Sequence, residues 1–251
     1  MFILLFFLGS CIASFLNLCA YRIPKNISIL FPGSSCERCN AKIEKLYIMP
    51  VIGYIISFGK CKKCGSKIPI AYPISEFLFG MMVIAVYAKS GLNFNLIFLH
   101  NLLLLSFLYL ISVIDLITME VYTNVIIVFF LMLLITSCLQ LCFDEIFISD
   151  IYVSLISSFF FFAVFYIFAK LKWFGYGDSF VIFVMVTFLN FNQGILSIIL
   201  SFIIGGVVGI FVILSKKFSL NKMPFCPFLC IGGIISILFS ENIISFYLSK
   251  I

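Results

Sequence analysis

Apolar residues gather into eight runs along the chain, at about 2–20, 73–88, 96–114, 125–143, 151–169, 179–193, 195–214 and 225–248. Several are long enough for a helix to cross a hydrocarbon core of about 30 Å. The polar positions between them form short clusters, with one exception: a long polar interruption at 22–72. The pattern predicts an all-α, polytopic membrane bundle of about eight transmembrane helices with one small loop domain. It divides the chain into a first transmembrane helix (1–21), a loop (22–72) and a larger helical region (73–251).

Composition agrees. Of 251 residues, 64% are hydrophobic and 10% charged, against roughly 25% charged in a soluble globular domain. The opening run, "MFILLFFLGSCIASFLNLCAYRIP", has no basic residue before its apolar stretch, and its first, Arg22, comes after it. It reads as a retained first helix rather than a cleaved secretory signal.

The distribution of charge orients the bundle. The loop 22–72 holds nine of the sixteen Lys and Arg residues, which by the positive-inside tendency makes it cytoplasmic. Counting helices onward places Lys170, Lys172, Lys216, Lys217 and Lys222 inside as well. Only Lys89 and Lys250 fall outside, beside an acidic loop with Asp144, Glu145 and Asp150. Both termini are then expected outside. The formal net charge of +6 is explained by this asymmetry, and no nucleic-acid partner is expected. Trp173, next to Lys172, suits the inner interface.

On that topology two carboxylates share the cytoplasmic edge. Asp115 closes the third helix, in "LISVIDLITMEVYTN", and Asp178 opens the sixth, in "WFGYGDSFVIFVMV". Ionisable groups embedded in apolar helices point to function, because hydrocarbon penalises them. Taken alone, each reads equally as a helix-end acid reaching the headgroups. As a pair they suggest an acid and a base that share one proton, since two like charges in contact cannot both ionise. Asp178 near a helix N-terminus favours its charged form and Asp115 near a C-terminus its neutral one, so the proton is expected on Asp115. Gly175 and Gly177 frame Asp178 and would let the backbone turn and a peptide approach. A plain loop before a helix explains a bare GxGD as well.

The loop contributes a second chemistry. Cys36, Cys39, Cys61 and Cys64 form two CxxC pairs separated by 21 residues, close to the four-cysteine zinc pattern. Four thiolates around one tetrahedral ion leave no open position, so this zinc would be structural. The other six cysteines, Cys11, Cys19, Cys138, Cys142, Cys226 and Cys230, sit in apolar runs and read as packing residues. His100 is assigned no role. Gly205 and Gly209 have the spacing of a helix-packing face. Glu76, three residues after Pro73, reads as a helix-start acid.

The ordered set of motifs resembles the type IV prepilin peptidases, or leader peptidase/N-methyltransferases, from the first helix to the last. "GSCIASFLNLCAYRIP" is similar to the family's opening segment, with Asn17, Arg22 and Pro24 in matching places. The CxxC pairs around "IMPVIGYIISFGKC" resemble its cytoplasmic loop, and "YPISE" its entry to the second helix. Asp115 and "GYGD" match its two aspartates, and "MPFCPFLCIGGII" its closing motif. Three departures stand out. Tyr122 and Thr123 lie where the family has a proline and an acidic or amide residue, with Asn124 next. Phe180 replaces a frequent lysine, and Cys226 a usual glycine.

The resemblance implies a GxGD-type membrane aspartyl protease with Asp115 and Asp178 catalytic. It would cut the basic leader from prepilins or pseudopilins at the cytoplasmic face of the bacterial inner membrane. Many such enzymes then methylate the new N-terminus with S-adenosylmethionine. No cofactor fingerprint is present, and Asn17, Arg22 and Glu76 are candidates for that site. Rival readings are a peptidase without methyl transfer, a carboxylate-coupled transporter, and a non-catalytic assembly factor docking through the zinc loop. A transporter would carry its carboxylates near mid-membrane at a repeat interface; an assembly factor needs neither aspartate.

Overall fold

The computed structural model describes residues 1–36, 38–143, 146–214 and 223–249. Asp144, Glu145, Lys216, Lys217, Lys222 and Lys250, which entered the charge count, lie outside the described residues. The chain folds as two units, Met1–Ala88 and Lys89–Ile251. Among the described residues all regular structure is helical, apart from two isolated bridges, Ser35–Lys42 and Lys60–Lys67.

The first unit pairs two long helices, α1 (Phe2–Arg22) and α4 (Ala71–Lys89), and between them carries a loop with two short helices, α2 (Lys45–Ile48) and α3 (Ile52–Ile56). Small residues set the approach of the long pair. A Cβ added at Gly9 would stand 2.9 Å from the Gly80 Cα, and one at Gly80 would stand 2.8 Å from the Ser10 hydroxyl. The backbones therefore meet where side chains would hold them apart. Ser10 donates to the Glu76 carbonyl at 3.1 Å, and Asn17 Nδ2 donates to Ser75 Oγ at 3.0 Å.

The second unit contains α5 (Leu96–Thr118), α6 (Thr123–Cys142), α7 (Ile148–Lys170), α8 (Tyr176–Phe188), α9 (Phe191–Leu214) and α10 (Cys226–Leu248). Helix α5 is its core: Leu104, Leu105, Phe107, Leu108, Ile111 and Ile114 are all essentially inaccessible. Helices α6, α7 and α9 instead expose apolar side chains such as Leu131, Phe160 and Ile210, as surfaces facing lipid do.

Among the described residues, seven helices are long and apolar enough to cross a membrane. The eighth, α8, has 13 residues, about 20 Å at 1.5 Å per residue. The break between the sixth and seventh runs falls at Leu189–Asn190 rather than near Gly194. Side chains from neighbouring helices make that early stop tolerable. His100 Nε2 meets the Phe188 carbonyl at 2.9 Å, and Ser154 Oγ donates to the Leu189 carbonyl at 3.2 Å. Ser236 Oγ donates to the Gln193 carbonyl at 2.7 Å at the start of α9. A helix end away from water requires such partners. Gly194 lies inside α9, where a Cβ would come within 3.2 Å of Val186, so it serves close packing on α8. Of the proposed glycine pair, Gly205 meets the Phe228 ring, whereas a Cβ at Gly209 would touch nothing among the described residues.

Candidate functional site

Three helix ends of the second unit converge on one point. Asp115 lies in the last turn of α5, which Met119 closes in a left-handed conformation (φ 55°), its N–H bonding the Asp115 carbonyl at 2.9 Å. Asp178 lies in the first turn of α8: its N–H donates to the Gly175 carbonyl, and its Oδ2 accepts the Gly175 N–H, each at 3.2 Å. Cys226 is the first residue of α10.

One carboxylate oxygen of each aspartate and the Cys226 sulfur lie within 4.8 Å of one another. The Cys226 N–H donates to Asp115 Oδ2 at 3.0 Å, and its thiol donates to Asp178 Oδ1 at 3.2 Å. Asp115 is 5% exposed and Asp178 9%, so low local polarity strengthens each of these bonds. Like charges this close and this dry favour a single negative charge for the pair. Asp178 is held by the Gly175 N–H and the Cys226 thiol, and Asp115 by the N–H groups of Cys226 and Phe225 and by the same thiol.

The glycines act through space rather than backbone freedom. Gly175 has φ −73°, open to any L-residue, and what it supplies is the N–H to Asp178. At Gly177 a Cβ would sit 2.5 Å from the Val121 Cβ. The α5–α6 turn therefore packs directly on the first turn of α8, which is how Asp115 and Asp178 reach each other. Cys226, read from the sequence as a packing residue, is the contact between them. The signal available in the sequence was its departure from the glycine of the closing motif. Among the other apolar-run cysteines Cys11, Cys138 and Cys142 are exposed, whereas Cys19 and Cys230 are buried. His100 is a structural tie between α5, α6 and α8.

The loop of the first unit holds the four-cysteine cluster. Two turns of the same design present the thiols: Cys36 N–H bonds the Ala41 carbonyl at 3.0 Å and Cys61 N–H the Ser66 carbonyl at 2.8 Å. In each, the residue after the second cysteine, Asn40 or Gly65, takes a positive φ of 53° or 70°. All four sulfurs lie within 4.8 Å of one another, with Cys36–Cys64 at 3.9 Å and Cys39–Cys61 at 4.0 Å. A tetrahedron with Zn–S bonds of about 2.3 Å has edges of about 3.8 Å, so the residues fit a zinc ion. Backbone N–H groups of Cys39 and Arg38, with the Ser66 hydroxyl, pull the Cys36 thiol down to about 6. Ser66 likewise lowers Cys64. At Cys39 the Ala41 N–H pulls down, but the neighbouring thiols Cys64, Cys36 and Cys61 outweigh it and push it up to about 11. One shared cation resolves that crowding.

The same unit carries an open-sided cavity of about 1020 Å³ whose walls include Asn17, Tyr21, Arg22, Tyr47, Tyr54 and Glu76. Arg22 also holds the loop, donating to the carbonyls of Ser28, Ile29 and Gly33 at 2.9–3.2 Å. Glu76 is 8% exposed, and its Oε2 accepts the N–H of Val51 at 2.8 Å. Val51 is a β-branched residue at φ 60°, a costly conformation that the carboxylate helps retain. Glu76 is thus a buried anchor of the cavity wall, not a solvated helix-start acid.

Residues 7–90 match the family described as Bacterial Peptidase A24 N-terminal domain, and residues 102–210 the Type IV leader peptidase family. The chain is 27% identical to the prepilin leader peptidase/N-methyltransferase of Bacillus subtilis over 98% of this chain and 97% of that one. It is 25% identical to that of Legionella pneumophila, over 88% and 77%. To that of Myxococcus xanthus it is 33% identical, over 45% and 33%. No solved structure matches the chain.

Proposed function

The chain belongs to the type IV leader peptidase family, and from that premise we propose that it removes the basic leader of a prepilin or pseudopilin by two-aspartate hydrolysis. The observation that carries this reading is the meeting of Asp115 and Asp178 within 4.8 Å of each other and of Cys226. Water lies between the pair and the scissile carbonyl. Asp178, as carboxylate, takes a proton from the water as its oxygen bonds the carbonyl carbon. Asp115, carrying the shared proton, gives it to the carbonyl oxygen. The tetrahedral diol then collapses: Asp178 passes its proton to the leaving nitrogen, Asp115 recovers one from a hydroxyl, and the C–N bond breaks. Both carboxyls end as they began.

The second half of the proposed activity is methylation of the new N-terminal amine. The cavity of the first unit has the size of a ligand pocket, and its aromatic and acidic walls suit an adenosyl sulfonium. Asn17, Arg22 and Glu76 would hold S-adenosylmethionine there, which supplies an electrophilic methyl group when bound. Arg22 and Glu76 act by shaping the wall: one binds three loop carbonyls, the other fixes Val51. Cys36, Cys39, Cys61 and Cys64 would hold a structural zinc ion that fastens the loop ends. We place the enzyme in the bacterial inner membrane, both termini outside and the aspartates at the cytoplasmic edge, on the charge asymmetry of the loops.

The test is cleavage and methylation of a synthetic prepilin-like peptide by purified protein, with and without S-adenosylmethionine. Asp115→Asn and Asp178→Asn are each expected to lose cleavage by at least about 10²-fold, the scale of a lost acid or base. Normal cleavage without methyl incorporation would reduce the activity to a peptidase alone. Proton- or cation-dependent flux in liposomes without cleavage would favour the transporter.

A further inference from the structure

Cys226 touches both members of the aspartate pair, and it does so through two different groups. Its N–H is one of the first donors of α10, which have no carbonyl partner within their own helix, and it is spent on Asp115 Oδ2 at 3.0 Å. Its side chain turns to the other carboxylate, with Sγ 3.2 Å from Asp178 Oδ1. The residue is 2% exposed, so water does not compete for either bond. A hydrogen bond given to a carboxylate favours its charged form. The main chain supplies a bond to Asp115 whatever residue stands at 226; the thiol reaches both carboxylates, and it is the one means by which residue 226 bonds Asp178.

We propose that Cys226 is a positioning residue of the peptidase, whose S–H keeps Asp178 oriented and ionised as the base of the pair. This rests on the two-aspartate reading above and adds a donor that depends on the residue at 226: without the thiol Asp178 keeps the Gly175 N–H, while Asp115 keeps the N–H groups of Cys226 and Phe225. The thiol acts only as a donor; no bond to sulfur forms or breaks.

The surroundings leave few other groups to set the ionisation of Asp178. Helix α9 carries no titratable side chain, and α6 only the exposed thiols Cys138 and Cys142. On α5, His100 bonds the opposite end of α8 and Tyr109 lies nearly two turns before Asp115; Lys172, in the turn before α8, is exposed. On α7, Tyr166 packs on the Tyr176 ring, and Asp150, Tyr152 and Lys170 lie in its end turns. On α10, Cys230 is one turn beyond Cys226, and Glu241, paired with Lys89, and Tyr247 lie towards its far end. In the α5–α6 turn, Glu120 and Tyr122 bond each other. Asp115 and Cys226 remain as the groups in contact.

The experiment is the pH dependence of kcat/KM for leader cleavage by the full-length enzyme and by Cys226→Gly, Cys226→Ala and Cys226→Ser. Loss of a donor to the carboxylate raises the pH at which the base protonates. The acid limb, a property of the pair, is therefore expected about half a unit to one unit higher in the Gly and Ala variants, a rate loss of about 3- to 10-fold below it. Ser keeps a donor, and its limb should lie at or below that of the wild type. A packing role would instead lower the plateau and leave the limb in place. A common limb in all four proteins, or a Ser limb displaced like that of Ala, overturns the proposal.

A second readout leaves Cys226 intact. In infrared difference spectra the S–H stretch that Cys226→Gly removes should move to higher wavenumber in Asp178→Ala; an unmoved band contradicts the contact. Full cleavage by Asp178→Asn would instead remove the two-aspartate reading itself, a result separable from any outcome at position 226.

Discussion

At the residue scale, Gly177 shows how a site depends on an atom that is not there. A Cβ at that position would sit 2.5 Å from Val121, well inside contact distance, and neither the α5–α6 turn nor the first turn of α8 has a flexible side-chain tip to yield. Gly177→Ala is therefore expected to separate Asp115 from Asp178 and to cost about 1–3 kcal/mol of stability, as overpacking does. Cleavage should fall at least about tenfold. Val121→Gly in the same chain, which removes the opposing Cβ, should restore much of it; a double-mutant cycle with no coupling would mean the two residues do not meet. The two aspartates were legible in the sequence because charge in an apolar run is conspicuous. Cys226 was not, because a cysteine among Phe, Pro and Leu has the composition of a packing position. Only its contacts distinguish it from Cys230, four residues on.

At the element scale, the informative helix is α8. Asn190, Asn192 and Gln193 interrupt the apolar residues at its end, but across positions 190–193, so hydropathy does not fix which of them ends the helix. What ends the helix is three-dimensional: carbonyls at Phe188 and Leu189 find donors on α5 and α7. The Phe188 carbonyl only accepts, so His100 Nε2 carries the ring proton and Nδ1 faces the Thr136 hydroxyl at 2.9 Å. His100→Leu keeps the volume roughly but orphans that carbonyl, at a cost of about 1–3 kcal/mol. Thermal unfolding of the detergent-solubilised protein should show the loss, while His100→Gln, which can still donate, should recover part of it. Equal stability of the Leu variant and the wild type would remove His100 as the tie. The remaining long helices were readable from run length to within a few residues, since an apolar run sets the ends of a membrane helix closely.

At the scale of the whole molecule, two chemistries occupy two units. The pair of acids belongs to residues 89–251, and the cysteine cluster and its cavity to residues 1–88. The CxxC spacing announced the cluster, because two short-range pairs and one ion define the geometry almost by themselves. The cavity was not foreseeable as a shape; Asn17 and Arg22 come from α1 and Glu76 from α4, and only folding puts them on one wall. If the units act separately, removing zinc should divide the activities. Chelation, or Cys36→Ser with Cys61→Ser, is expected to abolish methyl transfer while cleavage persists within a few-fold. Metal analysis should find about one zinc per chain in the wild type and none in the double variant; equal zinc in both would reject the site.

The central claim is that Asp115 and Asp178 act as one catalytic unit, and non-additivity tests it most directly. Groups that share a proton and a step are lost together when either is lost. Leader cleavage by Asp115→Asn, Asp178→Asn and the double variant should fall to the same low rate, within about tenfold of one another. Losses that multiply in the double variant, or cleavage that survives in either single one, would contradict the pair.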